Sequence, residues 1–258
     1  MNNKNERISF SELKTWSECS YKHKLIYIDD NKKFFGNEYT AFGTAIHLLC
    51  EKKVLDPTVD ATKIFLDKFE EEISTVEVKS EKNVSEMRDQ YKQISSDLLS
   101  NLSEYFGTYE VVEVEEQLFE PINIEFEGKI KYFKGFVDLI LKTDDGKHHI
   151  IDWKSCTWGW DYRKKSDKLL SYQLMLYKKY YSEKHSIPLD KIETHFGLLK
   201  RTASKNSVEL FRVSSGNRRM QNCLNLLSKA VKNIEKNCYI KNRLSCKYCE
   251  FYKTSLCT

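Results

Sequence analysis

Proline occurs 3 times and glycine 9 times in 258 residues, too seldom for a collagen-like or loop-dominated chain. No apolar run approaches the roughly 18 residues that a membrane-spanning helix requires. The opening residues, Met1-Asn2-Asn3-Lys4-Asn5-Glu6-Arg7, lack the apolar stretch of a secretory signal. A cytoplasmic, intracellular protein without membrane association is expected. Also missing is a Gly-x-x-x-x-Gly-Lys loop, so any ATP-driven motor acting with this chain must be a separate polypeptide. The charge imbalance is small, a formal +4 with a pI near 8.4. Such a value is too mild to establish binding to a polyanion, so local clusters must carry that case.

What is present suits a packed fold, with 40% hydrophobic and 31% charged residues. A chain of this length can bury one substantial core without dividing. One domain over residues 1–258 is expected, with a helical flank at 54–108 and an appended segment at 238–258. Eight cysteines in a chain with no secretory signal are expected to be thiols, some of them available for metal.

Ser9-x-x-Glu12 has the spacing of a capping box and predicts a short helix running towards Cys19. Residues 41–53 read as a second helix, entered through Gly43 and carrying His47. Val84, Met87, Tyr91, Ile94, Leu98, Leu102 and Tyr105 recur at three- and four-residue steps, the mark of one apolar stripe on a long helix. The period then changes. Residues 111–119 and 130–141 are rich in β-branched and aromatic side chains and predict strands. Helices are expected again at 169–181 and 216–237, and strands at 194–200 and 207–213.

Thr143-Asp144-Asp145-Gly146-Lys147 is a turn signal, followed by a returning strand over 148–154. If residues 144–146 form a three-residue loop with Gly146 left-handed, Asp138 lies opposite Asp152. Alternation then places Lys154 on the same face. Two carboxylates about 4 Å apart repel by roughly 4 kcal/mol at an effective dielectric of 20, so an apolar sheet gathers them only with compensation. A divalent cation held by oxygen, Mg²⁺ or Mn²⁺, supplies it and can activate water and polarise a phosphodiester. The alternative is an exposed ion pair across two strands.

Gly135-Phe136-Val137-Asp138 followed by Ile150-Ile151-Asp152-Trp153-Lys154 resembles the PD-(D/E)XK nuclease signature in its RecB-like form. Gly43-Thr44-Ala45-Ile46-His47 resembles that family's Gly-x-x-x-His helix, and Gln173-Leu174-Met175-Leu176-Tyr177 its Gln-x-x-x-Tyr helix. The resemblance implies an α/β restriction-endonuclease-like core, a mixed sheet flanked by helices. It makes Asp138, Asp152 and Lys154 catalytic, with His47, Asp138 and Asp152 as metal ligands and Gln173 and Tyr177 bracing the site and contacting DNA. It also implies a glutamate on the strand before the hairpin, Glu115 or Glu116, of which Glu115 is favoured.

Cys246-Lys247-Tyr248-Cys249 and Cys257 form a cluster far in sequence from Cys19. The layout is similar to RecB-like nucleases of the AddB and CRISPR-associated exonuclease types, where one early and three late cysteines hold a [4Fe-4S] centre. By that likeness Cys19, Cys246, Cys249 and Cys257 would be structural ligands. Four thiolates also suit Zn²⁺. A clip closing the loop from Cys19 to Cys246 would remove roughly 5 kcal/mol of unfolded-chain entropy if it acted like a disulfide. Cys50, Cys156, Cys223 and Cys238 read as ordinary thiols.

Trp158, Trp160 and Tyr162 interleave with Arg163, Lys164 and Lys165, a composition suited to stacking on bases and tracking phosphate in a single strand or frayed DNA end. Together these features predict a metal-dependent DNA exonuclease acting in repair, recombination or DNA processing, with a helicase as a plausible separate partner. The rival is a nucleic-acid-binding module that kept an iron-sulfur or zinc site but lost turnover.

Overall fold

The computed structural model describes residues 6–32, 34–126 and 129–258; the first five residues, used above to argue against a secretory signal, lie outside them. Strand β1 (Arg7–Ser9) leads into α1 (Phe10–Glu18) and α2 (Ser20–His23), which continues as a π-helical turn, Lys24–Ile28. Three helices follow, α3 (Glu38–Leu55), α4 (Ala61–Ile73) and α5 (Glu81–Phe106). Then come β2 (Tyr109–Phe126), β3 (Lys129–Thr143), β4 (His148–Cys156), α6 (Tyr162–Lys165), α7 (Lys168–His185), β5 (Ile192–Lys200), β6 (Val208–Arg212) and α8 (Asn217–Glu235). A 3₁₀ turn, Arg243–Tyr248, lies beyond α8. Among the described residues no helix is long and apolar enough to cross a membrane.

The chain forms two compact units, each assembled from separated stretches. The first comprises Met1–Phe34, Gln117–Gly135 and Gly216–Thr258. In it β1 pairs in parallel with the start of β3, Ile8 opposite Phe133. Ser9 caps α1 by accepting the Glu12 N–H at 3.2 Å. The carboxylate of Glu12 does not complete the expected box by that route, because its Oε1 is 2.8 Å from Nε2 of the fully buried His23.

The second unit comprises Phe35–Glu116 and Phe136–Ser215. Its sheet is mixed: β4 pairs antiparallel with β3 and in parallel with β5, which pairs antiparallel with β6. Helices α3, α4 and α5 cover one face, packing on Leu139, Leu141, Ile151, Trp153 and Leu199. Helix α7 packs against β4 and β5 and buries Leu174, Met175 and Leu176. The predicted stripe of α5 is buried from Val84 to Leu102, each such side chain worth about 1.5–3 kcal/mol relative to exposure. The architecture is the expected α/β one.

The entry to α3 differs from expectation. Asn37, not Gly43, begins it: the Asn37 side chain accepts the Tyr39 and Thr40 N–H groups, and Thr40 Oγ1 accepts the Asn37 N–H. A polar residue able to cap outranks a glycine as a helix start, and Gly43 sits inside the helix. A Cβ there would meet only Ser155 Oγ at 3.5 Å.

Candidate active site

The β3–β4 hairpin fixes the heart of the site. Gly146 has φ +76°, Gly146 N–H donates to Thr143 O at 2.8 Å, and Thr143 N–H donates to Lys147 O at 3.1 Å. This is the three-residue loop that the turn residues favour. The ladder runs from Lys142 opposite His148 to Leu139 opposite Ile151, and the next pair in that register is Asp138 and Asp152. There the side chain takes over from the strand: Asp138 Oδ2 accepts the Trp153 backbone N–H at 2.6 Å.

Around this pair the second unit brings together the remaining predicted groups. His47 on α3 places Nδ1 3.6 Å from Asp138 Oδ1. Burial opposes its protonation most, but the charge and hydrogen bond of Asp138 and the charge of Asp152 together raise the His47 pKa. Lys154 Nζ lies 2.5 Å from Asp152 Oδ2 and donates to Gln173 Oε1 at 3.0 Å. Gln173 Nε2 donates to Tyr177 Oη at 2.9 Å. Burial, then the charge of Asp152, holds the Tyr177 phenol well above its ordinary pKa. Gln173 and Tyr177 thus form a relay one helical turn long, ending on the ammonium of Lys154.

The choice between the two glutamates follows from geometry. Glu116 accepts from Lys184 and lies against His185, both at 2.8 Å, and so turns towards the end of α7. Glu115 instead feels the charges of Asp138 and Asp152. Glu115 stays exposed on its outer side, yet desolvation by the packed groups around it, reinforced by Asp138 and countered by His47, pushes its pKa up to about 7. Its backbone is left-handed, φ +50°, a conformation uncommon for a non-glycine residue in a strand and one that concentrates at functional sites. Glu51, which adds to the Glu115 shift, was not singled out from the sequence. It lies four residues beyond His47 on α3, so helical spacing could have pointed to it.

Asp152 is 2% exposed. Burial raises its pKa; Lys154 partly offsets this, and Asp138 adds to it. Apart from the Lys154 ion pair, no group among the described residues donates to Asp152 Oδ2 with hydrogen-bond geometry. A buried anionic oxygen partnered by one ammonium alone, beside further carboxylates and an imidazole, fits a hard divalent cation. The ligand atoms are not drawn together: among the described residues, the three-ligand set lying within 4.8 Å is His149, Glu193 and His195, elsewhere on the sheet.

The aromatic and basic segment after β4 divides. Trp158 and Tyr162 are 75% and 84% exposed, and Arg163 and Lys164 are exposed. Trp160 does not belong with them. It is 9% exposed and packs against Phe196 and Phe211, because β5 and β6 offer it an apolar, aromatic seat. Lys165 is likewise committed, to Glu209 and to the Phe211 ring. Trp160 and Lys165 thus differ from the exposed members of the predicted DNA-contacting set in having partners within the fold.

The cysteine segment belongs to the first unit. Asn242 N–H donates to Cys19 Sγ at 3.3 Å, and Cys246 Sγ lies 3.9 Å from Asn242 O. Cys257 is buried with Leu25 and Phe251, and Cys249 packs at the edge of that cluster. The four sulfurs do not form a single-ion set. Direct hydrogen bonds join the early and late segments, with Tyr21 N–H donating to Ile240 O at 3.2 Å and Ser245 Oγ donating to Glu18 O at 2.7 Å.

The protein-family model described as the PD-(D/E)XK nuclease superfamily matches residues 7–257. The chain belongs to that superfamily. No curated protein matches it. Among solved structures, one named "Putative exonuclease" from Eubacterium rectale superposes with a TM-score of 0.61 at 11% identity, covering 98% of this chain and 91% of that one. A structure of SSO0001 covers 95% of this chain and 84% of its own at 14% identity, with a TM-score of 0.44. Within this PD-(D/E)XK superfamily member, the hairpin places Asp138 opposite Asp152 and Lys154 beside Asp152.

Proposed function

We propose that this nuclease is a Mg²⁺- or Mn²⁺-dependent DNA exonuclease of the RecB-like type, acting inside the cell on DNA ends during repair or recombination. The observation that carries the reading is the convergence of Glu115, Asp138, Asp152, His47 and Lys154 at one end of the β3–β4 hairpin. His47, Asp138 and Asp152 would hold the cation, with Glu115 beside them. When bound, the cation would supply Lewis acidity towards a phosphodiester oxygen and favour ionisation of the attacking water.

The chain's own groups do the rest. Trp153 N–H orients the Asp138 carboxylate, so that Oδ1 is presented towards His47. Gln173, steadied by Tyr177, fixes Lys154, whose ammonium can stabilise negative charge on the phosphorus centre as the P–O bond breaks. Water adds its oxygen to phosphorus, and the leaving oxygen departs with a proton; Glu115, held near 7, is suited to exchange a proton at neutral pH.

Exposed Trp158 and Tyr162, with Arg163 and Lys164, support contact with a single strand or frayed end. The superfamily assignment and the likeness in fold to a protein named an exonuclease are in keeping with this. A [4Fe-4S] centre on Cys19, Cys246, Cys249 and Cys257 is proposed in preference to zinc, because a cube carries its ligands on separate irons and needs no four sulfurs around one ion. A separate helicase is the expected partner.

End-labelled linear DNA and covalently closed circular DNA, each incubated with Mg²⁺ or Mn²⁺, test the reading. Degradation of the linear form with the circle left intact is expected. Cleavage of the circle at an equal rate would contradict action from ends. Protein prepared without oxygen should be brown; a colourless preparation containing zinc would refute the iron-sulfur centre.

A further inference from the structure

On the other side of β4 lies a second group of metal-ligating side chains. His149 belongs to the odd-numbered set of β4, with Ile151 and Trp153, whereas Asp152 and Lys154 belong to the even set; alternation puts the two sets on opposite faces. In the parallel pairing of β4 and β5, His149 is opposite Glu193 and Ile151 opposite His195. Glu193 and His195 are therefore two residues apart on one face of β5, beside His149. His149 Nδ1 and His195 Nε2 are 3.1 Å apart, and one ligand atom from each of the three residues lies within 4.8 Å of the others. For tetrahedral bonds of about 2.0–2.1 Å, neighbouring ligand atoms are about 3.3 Å apart, so the histidine edge needs only a small opening.

The outer nitrogens are as informative as the inner ones. His149 Nε2 is 2.9 Å from Thr143 Oγ1, and His195 Nδ1 is 3.3 Å from Tyr105 Oη. A metal-bound imidazole donates its remote N–H to an oxygen that fixes the ring and its tautomer, and both rings have that oxygen in place. With both remote nitrogens donating, two lone pairs face each other at the inner edge, an arrangement a cation satisfies. Lys147 Nζ and an Arg212 guanidinium nitrogen each lie 3.2 Å from Glu193 Oε1, holding the carboxylate at the rim. The group lines an open cavity of about 450 Å³ with Tyr105 and Asp145. Burial, with the neighbouring His149, pushes His195 down to about 3, and burial lowers His149 as well.

We propose that His149, Glu193 and His195 form a site for a divalent transition metal of the Zn²⁺ or Co²⁺ class, separate from the nuclease centre. Two imidazoles and one carboxylate select such an ion over Mg²⁺. Three protein ligands leave one position for water, reached through the cavity. Bound there, the ion ties β4 to β5 directly behind the strand that carries Asp152 and Lys154.

Metal-free protein titrated with Co²⁺ tests this. Co²⁺ held by nitrogen and oxygen gives visible bands without the intense near-ultraviolet charge transfer of thiolate ligands, which separates this site from the cysteines. One equivalent should bind with that spectrum in Asp152→Asn, and in the wild type beyond any ion held by His47, Asp138 and Asp152. Glu193→Gln and His149→Gln should weaken it by at least about tenfold. In Asp152→Asn as in the wild type, the paramagnetic ion should shift exchangeable ring N–H signals of two histidines, whereas His47 by itself could supply one. Binding that persists in Glu193→Gln and His149→Gln, that disappears in Asp152→Asn, that shows thiolate charge transfer only, or that is undetectable would overturn the assignment.

Discussion

Asp138 Oδ2 accepts the backbone N–H of Trp153 at 2.6 Å, just past the last paired residues of the β3–β4 ladder. The carboxylate proposed as catalytic thereby replaces a strand carbonyl, and its position is set by main chain instead of by a mobile side-chain partner. Two consequences separate. Asp138→Ala should abolish DNA hydrolysis and also cost about 1–3 kcal/mol, since it leaves the Trp153 N–H without its acceptor. Asp138→Asn keeps an acceptor oxygen and should lose activity with a much smaller stability change. Thermal denaturation beside a digestion assay distinguishes them; equal stability loss in both variants would show that the hydrogen bond is not what positions Asp138.

The adjacent glutamates should behave oppositely. Glu115→Gln removes a carboxylate crowded by Asp138 and Asp152 and should reduce the cleavage rate by about 100-fold or more. Glu116→Gln disturbs a pair with Lys184 and His185 near the surface, expected to cost about 1 kcal/mol or less and little activity. A larger rate loss from Glu116→Gln than from Glu115→Gln would reverse the assignment.

Gly197 is opposite Trp153 in the parallel register. A Cβ at that position would fall 2.1 Å from the indole, and the indole is enclosed by helices α3 to α5 and cannot retreat. Gly197→Ala should destabilise the fold by about 1–3 kcal/mol through overpacking, and the displaced Trp153 main chain should also disturb Asp138. Unfolding in denaturant measures the first effect, and the cleavage rate measures the second. A variant with wild-type stability would show that Trp153 has another seat.

His195 supplies a pH dependence. Burial, with His149 beside it, pushes its pKa down to about 3 in the fold, against about 6.5 in an unfolded chain. Between these values the unfolded state binds a proton that the folded state refuses, so metal-free protein loses stability as pH falls, by up to about 1.4 kcal/mol per unit. Above pH 6.5 the group contributes no slope. Denaturation midpoints from pH 7 to 4 should fall more steeply for wild type than for His195→Gln; parallel curves would contradict a neutral, buried imidazole.

The parts that were legible in the sequence depend on short-range rules. The loop from Asp144 to Gly146 sets the hairpin register, and register sets which carboxylates share a face. The α5 stripe repeats with the helix and buries as a unit. The seat of Trp160 is not legible, because alternating aromatic and basic residues look alike whether a ring lies on solvent or on Phe196. The start of α3 was misplaced because Asn37 outcompetes Gly43 as a cap. The pairing of β4 with β5, which brings His149 to Glu193 and His195, joins strands separated by a helix. No local pattern announces that neighbour.

Hydrolysis of end-labelled single- and double-stranded DNA by wild type, Asp152→Ala and Lys154→Ala, with Mg²⁺ or Mn²⁺ supplied, is the most direct test of the site as a whole. Wild type should degrade the label, and both variants, still folded by circular dichroism, should be slower by about 1,000-fold or more. Equal degradation by all three proteins would contradict a nuclease centre built on Asp138, Asp152 and Lys154.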